Sequence, residues 1–226
     1  MRPTKFNALI LVLVLLVSPF LCGAIGHAAF SDIDYNWAKD AILSLEEQGL
    51  FEDLWSDLFS PSASLSHEDA LTLLTQVFEL TAEERDQVED WLGELLVAHP
   101  EGITRGEFAS LLANLLGLGE HLQAPEGFYP SFKDLALDYP GFMGAEFLQR
   151  LGLLPTHMSG RFEPYRLITR SEAAFIVHQA LQLEEVEGVI AEVEGRQIAL
   201  KKAAGDETLV MDLLDETLYV SPGSLT

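Results

Sequence analysis

Apolar residues recur at helical spacing after three similar polar pairs. Thr169 is followed three residues later by Glu172, and Ala173, Ile176, Val177, Ala180 and Leu181 then share one helical face. The pair has the form of a capping box: the Thr hydroxyl accepts from the Glu backbone N–H, and the Glu carboxylate accepts from the Thr N–H. Thr104 and Glu107 repeat it ahead of Phe108, Leu111, Leu112, Leu115 and Leu116. Ser66 and Asp69 repeat it in altered form ahead of Ala70, Leu73, Leu74, Val77 and Phe78. Three copies predict a repeat protein. The second box position carries Arg170, Arg105 and His67 in the three copies. Capping asks for no particular side chain there, so the arginines need another explanation.

Further landmarks set the boundaries. Residues 30–80 form a first unit: Phe30-Ser31-Asp32-Ile33, then a helical stripe of Trp37, Ala38, Ala41, Ile42 and Leu45 near the cap candidates Asp34 and Asn36. A stop at Gly49 and a Phe59-Ser60-Pro61 loop lead to Ser66. Residues 132–183 repeat the arrangement with Phe132-Lys133-Asp134-Leu135, a helix near Pro140 with Met143, Phe147, Leu148 and Leu151, a stop at Gly152, and Phe162-Glu163-Pro164. Phe162 stands seven residues before Thr169, as Phe59 does before Ser66, so two landmarks agree in spacing. The middle unit, residues 81–118, opens on its own box, Thr81 and Glu84, but lacks both Phe-containing stretches. A connector, 119–131, separates it from the third unit. Over 186–221 the period becomes alternating, and Val189–Val193, Gln197–Lys201, Thr208–Leu213 and Thr217–Val220 read as four short strands of an antiparallel meander. The fold class expected is mainly α, with helix-loop-helix repeats and this small β-element.

The N-terminus changes the picture of where the chain works. Arg2 and Lys5 precede an apolar run from Ala8, and Gly26 and Ala28 offer small residues for cleavage, so residues 1–28 read as a secretory signal peptide. An uncleaved anchor is the alternative, although the run is short for a spanning helix. Cys22, the one cysteine, lies in this segment and follows Leu21, where a lipoprotein would have a small residue, so the mature chain needs no disulfide. No membrane insertion is expected after cleavage. The net charge is −23, and removing Arg2 and Lys5 takes it two units lower. Nucleic acid and anionic membranes both require a basic footprint, so neither is an expected partner. The 48% hydrophobic content suffices for a sizeable core.

The Phe-x-Asp opening, the aromatic at the first helix, the Gly-Leu turn, Phe-x-Pro and the Ile-Thr-Arg-x-Glu box together resemble the S-layer homology domain over roughly Phe30 to Leu183. The resemblance is strongest in the third unit, good in the first apart from its box, and confined to the second half of the middle unit. It implies three repeats around a pseudo-threefold axis, with grooves between them that bind secondary cell-wall polysaccharide, often through an acidic, pyruvylated sugar. Carried over by position, it implicates Arg105 and Arg170, supported by Thr104, Glu107, Thr169 and Glu172. Asp32, Asp134 and Trp37 match positions that either line a groove or pack a helix. An Arg at a helix start, beside unpaired N–H groups, suits a carboxylate; internal salt bridges are the competing explanation. His67 in place of Arg makes that position either a pH-dependent one or an ordinary exposed helix residue.

No catalytic constellation appears: the histidines are scattered without zinc spacing, and there is no Gly-rich phosphate loop or nucleophile elbow. No enzyme activity, metal or cofactor is expected. The expected function is non-catalytic attachment at the cell surface or wall, with a protein partner for the C-terminal strands as a further possibility. The alternative is a secreted interaction or scaffolding module that keeps the fold without glycan binding.

Overall fold

A computed structural model describes residues 30–52, 54, 55, 57–118, 128–183, 188–195, 197–202 and 208–212. The expected signal peptide, most of the 119–131 connector and the fourth strand, Thr217–Val220, lie outside the described residues. Within them the chain is mainly helical with a small three-stranded antiparallel sheet. The helices are α1 (Lys39–Glu47), α2 (His67–Val77), α3 (Ala82–Ala98), α4 (Arg105–Leu115), α5 (Phe142–Arg150) and α6 (Arg170–Leu181), with a 3-10 turn at Thr156–Met158.

The caps explain where the helices begin. Thr104 and Thr169 each accept from the backbone N–H of the Glu three residues on, and each Glu carboxylate accepts the Thr N–H in return. Glu84 closes the same reciprocal pair with Thr81 at the head of α3. Ser66 accepts from the Asp69 N–H, half of a box, consistent with the shorter acidic side chain. After α1 and α5 the chain reverses at Gly49 and Gly152, at φ 76° and 71°, where a side chain would be strained. Three apolar expectations fail at the surface. Leu151 and Leu181 are exposed at the C-terminal ends of their helices, and Trp37, 49% exposed, precedes α1 instead of joining its buried stripe.

Two acidic side chains hold the loops that the sequence marks with Phe-x-Pro. Asp32 accepts from the Phe59 and Ser60 N–H groups at 3.0 and 2.8 Å, and Asp134 from those of Phe162 and Glu163, both at 2.9 Å. Each carboxylate fixes a tight bend, since Ser60 and Glu163 have φ of 52° and 56°. The bends then serve the helix starts. Pro61 and Ala63 carbonyls accept the N–H groups of Ser171 and Arg170, while Pro164 and Arg166 carbonyls accept those of Gly106 and Arg105. This linkage gives a physical reason for the two Phe-containing stretches to be present together in the first and third units and missing together from the second.

Burial raises the Asp134 pKa, but the Phe162 and Glu163 amides outweigh it and hold the carboxyl below its usual range. A depressed carboxyl contributes stability above its unfolded pKa, near 4, and loses it as pH falls through the folded value. Asp134→Ala is therefore expected to cost about 2 kcal/mol at pH 7. The cost should shrink when urea midpoints of both proteins are compared at pH 3; an undiminished difference would mean that the loop is held by something else.

Leu65, Ile103 and Ile168, each immediately ahead of a box, are fully buried. Their backbones form a closed ring: Leu65 N–H donates to Ile168 C=O at 2.9 Å, Ile168 N–H to Ile103 C=O at 3.0 Å, and Ile103 N–H to Leu65 C=O at 3.2 Å. Around it, α1 packs on α6, α2 on α3 and α4 on α5. One apolar cluster runs through all of these elements, including Phe59, Phe108, Phe142 and Phe162. Separately, β1 (Gly188–Glu194), β2 (Gln197–Lys202) and β3 (Thr208–Asp212) form the sheet in that order, with a register shift between Ile190 and Glu192. Ile198 and Leu200 of the central strand are buried.

Candidate functional site

A groove of about 630 Å3 lies where the segment leading into α1 meets the start of α6. Its aromatic side is Trp37, whose ring centroid lies 5.2 Å from that of Phe175 and 4.9 Å from that of His157, the latter edge-on at 77°. Thr169, Ser171 and Glu172 come from the capping box, and Ser62, Thr156 and Asn36 add polar groups around them. Arg166 supplies a half-exposed guanidinium and donates to Glu163 at 3.0 Å. Hydroxyls, an aromatic face and a cation thus converge on one opening.

Glu172 is almost fully buried at the base of this groove. It accepts from Arg105 Nη2 at 2.5 Å and Nε at 3.3 Å, and from the Thr169 N–H at 3.1 Å, and lies 3.2 Å from His157 Nε2. Burial raises its pKa, yet the Arg105 donors, the Thr169 amide and His157 together bring it below the ordinary carboxyl range. Arg105 itself is 2% exposed and also donates to the Phe162 carbonyl and to Glu163. Its partners are internal, and the first N–H groups of its helix are taken by backbone carbonyls.

A second groove, about 460 Å3, lies where α4 begins and the segment before α5 crosses it. Thr104, Glu107 and Ser110 form one side, and Trp91, Tyr139 and Tyr165 give it an aromatic lining. The rings of Tyr139 and Tyr165 meet edge-on at 5.3 Å. Tyr139 reaches so close to the α4 backbone that a side chain at Gly106 would require the tyrosine to move. Its hydroxyl is pushed up to about 12 by burial and then by the Glu107 charge, against a hydrogen bond with Thr104. His99 Nε2 lies 3.5 Å from Glu107.

The residues expected from sequence therefore separate by role. Trp37, Thr169 and Glu172 meet in the first groove, and Thr104 and Glu107 in the second. Arg105 lies beneath the first as an internal ion-pair partner. Arg170 donates to the Phe59 carbonyl at 3.1 Å and to Asp69 at 3.4 Å, with its guanidinium over the Trp55 ring at 4.6 Å. Asp32 and Asp134 hold loops. Arg166, His157 and Tyr139 are among the groove residues that escape the sequence reading. Tyr139 had a signal, since it stands seven residues after Phe132, as Trp37 stands after Phe30.

His67 corrects the expectation of an exposed helix residue: it is 8% exposed, and its Nε2 has no hydrogen-bond partner among the described residues. The two box arginines suggest why an arginine is not needed here. Each donates to the carbonyl of a Phe in a Phe-x-Pro loop and pairs with a box carboxylate of another helix. The middle unit has no such loop, so a guanidinium at position 67 would lack the matching carbonyl. Burial lowers the His67 pKa, with Glu107 opposing and His99 reinforcing the shift. No protein-family model matches the chain, and none of the curated proteins does.

Proposed function

We propose that this chain is a secreted, non-catalytic attachment module of the S-layer homology type, which binds acidic secondary wall polysaccharide in the groove between Trp37 and the Thr169 box. The observation that carries this reading is the convergence in that groove of the Trp37 face, the Arg166 guanidinium and the hydroxyls of Ser62, Thr156, Thr169 and Ser171. An indole face accepts the apolar side of a pyranose ring, hydroxyls satisfy its polar rim, and a guanidinium pairs with a carboxylate in planar geometry. The ring of Leu65, Ile103 and Ile168 and the pairing of α1 with α6, α2 with α3 and α4 with α5 support a pseudo-threefold arrangement of the three units. In this reading Arg105 and Arg170 brace the walls, and Arg166 faces the ligand.

A rival reading is a secreted interaction module. It is favoured by exposed Val189 and Val210, which pair with Lys201 and Ala199 on one face of the sheet and give it an apolar surface suited to a protein partner. Co-sedimentation with wall sacculi, before and after removal of the secondary polymer, separates the two. Wild type is expected to pellet only with polymer-bearing sacculi, and Trp37→Ala/Arg166→Ala to lose at least tenfold in apparent affinity with unchanged helical content. Wild type that stays in the supernatant at low and moderate salt would end the wall-binding reading in favour of the protein partner.

A further inference from the structure

The two grooves differ in charge compensation. Glu172 in the first is neutralised by Arg105, and the same groove carries Arg166. Glu107 in the second holds the equivalent box position, but among the described residues its ion-pair partner is His99 at 3.5 Å, and no Lys or Arg lines the groove. The arginine that would have compensated it is absent for a visible reason. Arg105 reaches Glu172 and Arg170 reaches Asp69, each from the second position of another box, whereas the corresponding residue for Glu107 is His67. His67 is buried and its pKa is lowered, chiefly by that burial, so it supplies no lasting cation at neutral pH. A carboxylate therefore stands at the base of an opening walled by Trp91, Tyr139 and Tyr165.

An aromatic wall around a carboxylate that has His99 but no arginine or lysine beside it attracts an organic cation, since the ring faces and the carboxylate favour the same sign. Ser110 and Asn114 lie beside them and match the hydroxyls of a sugar better than an alkyl ammonium alone. We infer that the groove between α4 and the segment before α5 is a second saccharide site, selective for an amino sugar with a free, protonated amine, and that Glu107 pairs with that amine. The site selects against the acidic sugars proposed for the first groove. The inference does not rest on wall attachment, because it concerns other residues and the opposite ligand charge.

Isothermal titration or tryptophan fluorescence with glucosamine, N-acetylglucosamine and Nα-acetyl-lysine amide tests it directly. Wild type is expected to bind glucosamine at least tenfold more tightly than N-acetylglucosamine. Glu107→Gln, which keeps a side chain able to complete the capping box, is expected to erase that preference without altering thermal stability by more than a few degrees. Arg166→Ala should leave it intact, so loss of sacculus binding in that variant and loss of glucosamine selectivity in Glu107→Gln report different grooves. Equal binding of the two sugars by wild type, or selectivity retained in Glu107→Gln, would overturn the inference. Lysine amide bound tenfold more tightly than glucosamine would overturn the sugar assignment and give the site to a protein lysine.

Discussion

Arg105→Ala is expected to lower the unfolding free energy by roughly 3–5 kcal/mol, the range for removing one partner of a buried, hydrogen-bonded ion pair. The arginine is 2% exposed, and its removal leaves Glu172, 3% exposed, with the Thr169 amide and His157 as its remaining partners. The Phe162 carbonyl loses its donor as well. Arg170→Ala should cost less, about 1–2 kcal/mol, because Arg170 is 20% exposed at its side chain and its Asp69 contact is long at 3.4 Å. The pH dependence separates electrostatics from packing. In wild type the Glu172 pKa lies below its unfolded value, so the stability it contributes is present above that unfolded value and declines as pH falls through the folded one. Without Arg105, burial dominates and drives the carboxyl upward, so protonation relieves the mutant where it harms the wild type. Urea denaturation of both proteins at pH 7 and pH 4 should show the difference narrowing with acid. A constant difference would assign the loss to packing, and a difference under 1 kcal/mol at pH 7 would leave Arg105 free to act on a ligand.

Most helix starts were legible because capping is local. Thr104 with Glu107 and Thr169 with Glu172 declare themselves within four residues, and the structure contains both reciprocal bonds of each. Stops at Gly49 and Gly152 are equally local. The direction of the box arginines was not legible, because Arg105 and Glu172 are 67 positions apart and Arg170 and Phe59 are 111 apart. Spacing showed that an arginine mattered at that position, while only the fold shows which carbonyl and carboxylate it meets. The Asp residues of the Phe-x-Asp stretches follow the same rule. Their periodic placement is visible in sequence, and their role, accepting two amides from a bend about 28 residues away, is not. His67 was misplaced because a polar residue at a helix start normally faces solvent, whereas the fold turns this box position inward, as it also does for Arg105.

Gly102→Ala tests the ring at the centre of the fold, and a loss of roughly 2–5 kcal/mol is expected from two sources that act together. The residue has φ 143°, a region that L side chains rarely adopt, which costs about 1–3 kcal/mol. A methyl group there would also lie 2.7 Å from the Leu65 carbonyl oxygen, with overpacking of this kind costing about 1–3 kcal/mol. That oxygen cannot retreat cheaply, because it accepts the Ile103 N–H at 3.2 Å while the Leu65 N–H is held by Ile168 at 2.9 Å. Gly117→Ala is the matched control: φ is 77°, and nothing lies within 4 Å of the added carbon. Its expected cost is about 1–2 kcal/mol, from backbone conformation alone. The two variants compared by urea denaturation therefore report the contact with Leu65 together with the difference in backbone conformation between φ 143° and 77°. Equal losses would mean that the ring yields to an inserted methyl and does not fix the three helix starts relative to one another. A larger loss in Gly102→Ala, accompanied by weaker ligand binding in the groove at Thr169, would tie that groove to the ring through Ile168, the residue immediately before its capping box.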